Sequence, residues 1–376
     1  MRNDPPGLYI HIPFCLSKCG YCGFYSVTDQ SRLPDLTEAL LREADFHQGR
    51  WEGFDTVYIG GGTPSLLPPR DLGRLLEGIR IRLAILPDPE VTVEVNPGDL
   101  DGPLLRELRR LGVNRLSIGC QSFDDGTLAL LGRRHTAREA LEAVRMARQA
   151  GFPRIGFDLI YGIPGQSLSG WLSALETAIG LEPDHLSCYQ LTVEAGTPLE
   201  QRRREGKLVF PQEDLQADFF LRTSERLEDA GYRHYEVSNF SRGPDAESRH
   251  NRKYWDHTPY LGLGPSAHSF DGATRFWNVR SVEDYLGHIG RGTSPAAASE
   301  RLTPAQSRLE ALMLGFRTRR GIDLEAFKSR HGEDLLLDET GKTIQRLRDE
   351  GLVEVRDGFL RPTRAGMAVA DSLALI

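Results

Sequence analysis

Cysteine is scarce in this chain of 376 residues: there are five, too few and too unevenly spaced for a disulfide framework. No uninterrupted apolar stretch is long enough to cross a bilayer, and the opening Met1-Arg2-Asn3-Asp4-Pro5-Pro6 is polar with no apolar leader core, so a cytoplasmic protein is expected. Positive charge is in deficit. The 46 Lys and Arg stand against 53 Asp and Glu, and a net charge of −7 gives no basis for phosphate-driven binding of nucleic acid. The short basic runs at Gln201 to Arg204 and Arg317 to Arg320 read as solvated faces. What is present, 39% hydrophobic and 26% charged residues, is ordinary for a globular protein long enough for a large core and a smaller second domain.

Three of the five cysteines, Cys15, Cys19 and Cys22, fall within eight positions directly after an apolar run, Leu8 to Phe14. Thiolates at CxxxCxxC spacing suit one metal cluster, and soft thiolate ligands select iron–sulfur clusters. A [4Fe–4S] cube has four irons; with one cysteine on each of three, the fourth is open to a small molecule. Two alternatives remain at this level: a structural zinc site completed by His11, or three unrelated core cysteines. Zinc sites more often use CxxC pairs with distant partners. Cys120 and Cys188 stand alone in strand-like runs and read as small core residues.

Apolar, β-branched runs alternate with helix-period segments as far as about residue 192, the pattern of βα units on a parallel sheet. Strands are expected at Leu8 to Phe14, Thr56 to Gly60, Val91 to Asn96, Arg115 to Cys120, Ile155 to Tyr161 and His185 to Leu191. Helices are expected at Leu36 to His47, Asp71 to Ile85, Pro103 to Leu111, Ala137 to Ala150 and Leu168 to Ile179. Six repeats are too few for a closed eight-fold barrel, so the expected fold is α/β, a partial (β/α)6 barrel with its chemistry at the carboxyl ends of the strands. Residues at those ends form a set. Gly60-Gly61-Gly62-Thr63 offers backbone N–H donors without side chains in the way. Glu94, Gln121 and Asp158 are polar groups in apolar strands, where burial without a partner is expensive, and together they favour a shared polar ligand.

Past residue 195 the pattern changes. A helix, Glu213 to Asp229, leads into a strand at Tyr232 to Ser238, then loop-like stretches at Phe240 to Trp255 and Tyr260 to Ser269 of the kind that bind ligands. Gly292 to Ala298 reads as a linker. Helices at Pro304 to Gly315, Asp323 to Arg330 and Leu335 to Glu350, a hairpin turning at Asp357-Gly358, and a last helix at Ala365 to Leu373 give a winged-helix-like pattern. Its balanced charge favours packing or docking over DNA. The expected division is 1–195 barrel, 196–295 α+β extension with the binding loop, and 296–376 winged-helix-like domain.

The motifs HIPFCxxxCxYC, YIGGGTPS, GCQSF, HYEVSNF, SRHNxxYW and YLGLGPSAHS together resemble the coproporphyrinogen oxidase-like branch of the radical S-adenosylmethionine (SAM) enzymes, most closely its haem chaperones. The resemblance implies a [4Fe–4S] cluster on the three cysteines and SAM held by Tyr9, Tyr21, Gly61, Gly62, Thr63, Glu94, Gln121, Arg133 and Asp158. It also implies haem capture at His250, within His250-Asn251-Arg252-Lys253-Tyr254-Trp255, where imidazole would ligate iron and the aromatics would stack on the porphyrin. The implied partners are haem and haem-receiving respiratory membrane proteins, with a peripheral place at the inner face of the membrane; a homodimer is left open. Phe24 stands where the oxygen-independent coproporphyrinogen III oxidase has a fourth cysteine, and the N-terminal extension of that oxidase is missing. Both differences argue against oxidative decarboxylation. The competing reading is a radical enzyme of the same branch, an oxidative decarboxylase or methyltransferase in which SAM yields a 5′-deoxyadenosyl radical.

Overall fold

The computed structural model describes residues 4–376, so the polar opening Met1 to Asn3 lies outside the described residues. Six parallel strands stand side by side in chain order: β1 (Gly7–Ile12), β2 (Phe54–Gly61), β3 (Ile85–Val95), β4 (Arg115–Gln121), β5 (Arg154–Tyr161) and β6 (His185–Gln190). Between them run α1 (Leu33–Asp45), α2 (Pro69–Arg82), α3 (Gly102–Arg110), α4 (Asp125–Leu131), α5 (Ala137–Gln149) and α6 (Leu168–Gly180). Helical crossovers keep neighbouring strands parallel. The expected partial barrel is therefore present, with shifted ends. β3 starts at Ile85 because Phe54 of β2 pairs with Ile85 before the register shifts, and Pro87 and Pro89 disguise that start as a loop.

Each strand has two unlike faces. Leu8, Ile10 and Ile12, then Val57 and Ile59, Val91, Val93 and Val95, Leu116 and Ile118, and Ile155, Phe157 and Leu159 are buried against the helices. Cys120 and Cys188 lie buried in the same layer. Helix α2 answers with Leu72, Leu75, Leu76 and Ile79, a single stripe at helical spacing. The alternate residues, among them Tyr58, Thr92, Glu94, Ser117, Asp158 and Ser187, face the lumen.

Several segments read as loop or linker are ordered elements. The basic run Gln201 to Arg204 is the exposed end of α7 (Pro198–Arg204), whose first turn is capped by the Thr197 side chain accepting from Glu200 N. After α8 (Glu213–Asp229) the expected single strand is a hairpin, β7 (Arg233–Glu236) with β8 (Asn239–Ser241), added antiparallel to β6. The stretch from Phe240 to Trp255 ends in a short helix, α9 (Arg249–Trp255), capped by Ser248 accepting from Asn251 N. Tyr260 to Ser269 contains β9 (Tyr260–Leu263), parallel to β1, and the start of β10 (His268–Phe270). Then follow β11 (Thr274–Asn278), α10 (Val282–Gly290) and β12 (Ala296–Arg301), an exposed edge strand where a linker was expected. The sheet has twelve strands in the order β12-β11-β10-β9-β1-β2-β3-β4-β5-β6-β8-β7. Turn-forming residues hid these elements, since each is short and lacks a long period.

The C-terminal module comprises α11 (Pro304–Gly315), β13 (Ile322–Asp323), α12 (Leu324–His331), α13 (Asp338–Asp349), β14 (Val353–Arg356) and β15 (Phe359–Pro362). Leu312, Phe316, Phe327, Ile344 and Leu360 share its own core. The hairpin turns at Asp357 and Gly358, with φ 50° and 79°, as the Asp-Gly pair requires. The last expected helix is broken at Val369 into α14 (Arg364–Ala368) and α15 (Ala370–Leu373). Arg364 pairs with Glu225 and Glu228 of α8, fixing the module to the barrel extension.

Candidate functional site

Cys15, Cys19 and Cys22 are half-buried on the loop leaving β1, at the carboxyl end of the barrel. Backbone bonds close this loop on itself, Cys15 N to Val27 O at 2.9 Å, and fasten it to α4 and α7, Gly20 N to Leu131 O at 3.1 Å and Leu199 N to Gly20 O at 2.8 Å. The glycine turn after β2 runs directly beneath it. Gly62 N donates to Ile12 O at 2.7 Å, Thr63 N to Phe14 O at 2.8 Å, and Gly61 N to Glu94 Oε2 at 3.1 Å. The expectation of free N–H donors at this turn is thus corrected, because those three donors already serve the protein. Close approach explains the glycines: a Cβ on Gly62 would sit 2.6 Å from Phe14 O, and Gly61 has φ 113° with the His11 ring 2.6 Å from a Cβ.

A cavity of about 770 Å³ extends from the cysteines down the lumen. Tyr21, Gly61, Gly62, Thr63, Glu94, Gln121, Arg133 and Asp158 all line it. Arg133 places Nη1 3.5 Å from Cys19 Sγ and donates from Nη2 to Asn96 Oδ1 at 2.6 Å and Gly119 O at 2.9 Å. Thr63 Oγ1 lies 3.7 Å from Cys15 Sγ and accepts from Asn96 Nδ2 at 3.0 Å. Glu94 accepts from the Tyr58 hydroxyl at 2.7 Å; burial, opposed by that bond, pushes its carboxyl up to about 7. Burial also raises Asp158, against bonds from Ser187 and from Ser117 at 2.9 Å. Gln121 is held at φ 63°, a costly left-handed conformation at the end of β4.

Tyr9 is placed otherwise than expected. It lines a second cavity, with its hydroxyl 2.9 Å from His11 Nδ1 and its ring stacked on Tyr58 at 6.1 Å. The sequence reading missed Tyr58, Asn96, Ser117 and Ser187, although Tyr58, Ser117 and Ser187 sit at lumen-facing alternate positions of strands and Asn96 continues the alternation one residue past β3. The period-two alternation of polar and apolar residues was the signal available for them.

His250 does not reach either cavity. It is 1% exposed, with Nδ1 2.8 Å from Thr56 Oγ1 and Nε2 2.9 Å from the Tyr254 hydroxyl, and its ring stacks on Tyr58 at 5.0 Å. Its backbone N donates to Glu90 Oε1 at 3.0 Å; Glu90 in turn faces Arg115 at 3.6 Å, and Arg115 donates to Ala246 O at 3.0 Å. Helix α9 and the turn before it therefore stopper the amino-terminal end of the barrel, and Ser248 and Asn251 form the cavity floor. The reading of His250 as an iron ligand on an open loop does not fit this arrangement: burial, which also holds its pKa down at about 3, and two hydrogen bonds occupy the ring.

The donor set at the barrel mouth fits an iron–sulfur cluster. Three thiols lie together at its rim, and a guanidinium donates to one of them. Zinc with His11 does not fit, since His11 Nε2 lies 3.0 Å from Tyr25 O and Nδ1 is engaged by Tyr9. Among the described residues no three Cys, His, Asp or Glu converge on one metal-ion position; a cube, taking one thiolate per iron, does not ask for such convergence.

Comparison with known proteins agrees. The Radical SAM superfamily model matches residues 9–178, and the HemN C-terminal domain model matches residues 302–369. Heme chaperone HemW of Mycobacterium tuberculosis (strain H37Rv) is 36% identical over 379 residues, 99% of this chain and 95% of that protein. Heme chaperone HemW of Synechocystis sp. is 38% identical over 327 residues, 85% of this chain and 79% of that one, and that of Escherichia coli K12 is 41% identical over 274 residues, 71% of each. The solved structure of coproporphyrinogen III oxidase (HemN) from Escherichia coli shares the fold, with TM-score 0.84 over 99% of this chain and 90% of that one at 24% identity. With the cysteine loop, the polar lumen and relatives matching nearly end to end, the chain belongs to the radical SAM superfamily, among the Heme chaperone HemW proteins.

Proposed function

We propose that this chain is a haem chaperone: it carries a [4Fe–4S] cluster on Cys15, Cys19 and Cys22, holds SAM in the lumen beneath, binds haem, and delivers haem to respiratory haem proteins at the inner face of the membrane. The observation that carries the haem reading is similarity to a Heme chaperone HemW across 99% of this chain and 95% of that protein. Held by Cys15, Cys19 and Cys22 at the barrel mouth, a cluster would supply an electron and a site for the methionyl end of SAM.

The chain's own residues have definite work in such a site. Arg133 donates to Cys19 Sγ, and Thr63 donates to Cys15 Sγ. Tyr21 leans on Arg133 at the rim and offers its ring to an adenine. Burial raises the carboxyls of Glu94, to about 7, and of Asp158, and both face the lumen where they can accept from a cationic or hydroxyl-bearing ligand. Gln121 presents its amide from a strained backbone that ligand contacts can repay. Among the described residues no helix is long and apolar enough to cross a membrane.

The radical-enzyme reading is favoured by one feature, the depth of the lumen below the SAM residues, which reaches Ser248 and Asn251. Two measurements separate the readings. Anaerobically reconstituted protein is titrated with haem, and the same preparation is incubated with SAM, dithionite and coproporphyrinogen III. Haem binding without formation of protoporphyrinogen is expected; protoporphyrinogen formation overturns the chaperone assignment.

A further inference from the structure

A second cavity, of about 660 Å³, opens on the side of β1 away from β2, between the cysteine loop and β9 to β12. Its volume lies in the usual range for small-molecule sites. Its walls are aromatic: Phe24, Tyr25, Tyr254 and Trp277 contribute rings, and Phe24 is 71% exposed. Two polar groups face the same opening. His268, the histidine of Gly264-Pro265-Ser266-Ala267-His268, lies cross-strand from Trp277 with the rings stacked at 5.7 Å and 22°. Among the described residues no hydrogen-bond partner holds either of its ring nitrogens, in contrast to both nitrogens of His250. Arg280 is exposed over the Tyr25 ring at 5.5 Å and has no carboxylate partner among the described residues. The backbone there is strained as well, with Ser266 of the cavity wall at φ 63°.

We propose that the haem iron is taken by His268 in this cleft, with Trp277, Tyr25 and Phe24 against the macrocycle and Arg280 on a propionate, while His250 serves only to hold the barrel stopper. The proposal rests on the haem reading above. A planar, largely apolar ring bearing two carboxylates and an iron asks for aromatic walls, a cation and an uncommitted imidazole, and this cleft brings the three together. Burial and Arg275 hold the His268 pKa down, so the imidazole is neutral and its lone pair free near neutral pH. Gly23 and Phe24 line both cavities, so a haem in the cleft would share a wall with the cysteine site. One face of the haem would stay open to solvent, as handing it on demands.

Full-length reconstituted protein titrated with haemin, followed by its Soret absorbance, tests this with wild type, His268→Ala, Arg280→Ala and His250→Ala. The expected result is at least a tenfold loss of affinity and loss of the imidazole-ligated spectrum in His268→Ala, with free imidazole restoring that spectrum. Arg280→Ala should weaken binding several-fold at unchanged spectrum, and correctly folded His250→Ala should keep the wild-type spectrum. Unchanged affinity and spectrum in His268→Ala, beside a wild type that binds, overturns the assignment and leaves the chaperone reading standing. A wild type that takes up no haem overturns the chaperone reading itself.

Discussion

Glu43 offers the sharpest test of the packing that supports both cavities. It lies on α1, fully buried, and its carboxylate gathers three donors from distant elements: Gly264 N at 2.7 Å and the Tyr285 hydroxyl at 2.6 Å on Oε2, and Asn278 Nδ2 at 2.5 Å on Oε1. Burial outweighs those bonds and moves its pKa from 4.5 to about 7. A carboxyl whose folded-state pKa is raised prefers its proton in the folded state. Its contribution is therefore fully present below pH 4.5 and is lost as pH rises through about 7. At about 1.4 kcal/mol per unit, the whole loss is about 3 kcal/mol, and most of it falls between pH 5 and 8. Glu43→Gln removes this titration but turns an NH2 toward one of the three donors, at a cost of about 1–3 kcal/mol. Urea unfolding at pH 5, 6.5 and 8 should show the variant less stable than wild type at pH 5 and level with it or more stable at pH 8. Glu94 and Glu236, also pushed up to about 7, are common to both proteins and cancel in the difference. A gap that stays constant across that range refutes the reasoning.

Four further outcomes are expected. Cys19→Ser should lose most of its iron and its visible absorbance after anaerobic reconstitution, while Cys120→Ala, altering a thiol buried behind the sheet, should keep both. Gly62→Ala forces a Cβ to within 2.6 Å of Phe14 O, so denaturant unfolding should show a loss of about 1–3 kcal/mol with reduced cluster retention. Gln121→Gly relieves the backbone at φ 63° and should raise stability by about 1 kcal/mol, while equilibrium dialysis shows weaker SAM binding. Glu90→Ala removes the acceptor for Arg249 N and His250 N and strands buried Arg115, so stability should fall by about 3–5 kcal/mol with increased proteolysis near α9.

The parts legible in the sequence are those with a long period or rigid chemistry. The six barrel strands and five of the helices between them repeat hydrophobic patterns over many residues, while α4, seven residues long, went unread; the cysteine spacing suited a cluster but left zinc open. Arg133 is different: it comes to Cys19 across 114 positions of chain, a proximity that only the fold creates. His250 misled for a related reason. A histidine among aromatics looks the same in a sequence whether it faces a ligand or a threonine hydroxyl, and Thr56, its actual partner, lies 194 positions away. The loop over Phe240 to Trp255 was misread because a seven-residue helix is too short to show a period. His268 was visible in its motif, but its pairing with Trp277 needed the antiparallel register of β10 and β11.

The stopper at the foot of the barrel also sets a vertical order. Ser248 and Asn251 lie at the bottom of the lumen and the cysteines at its top. A molecule lodged at the bottom would therefore lie beneath whatever the cysteine loop holds.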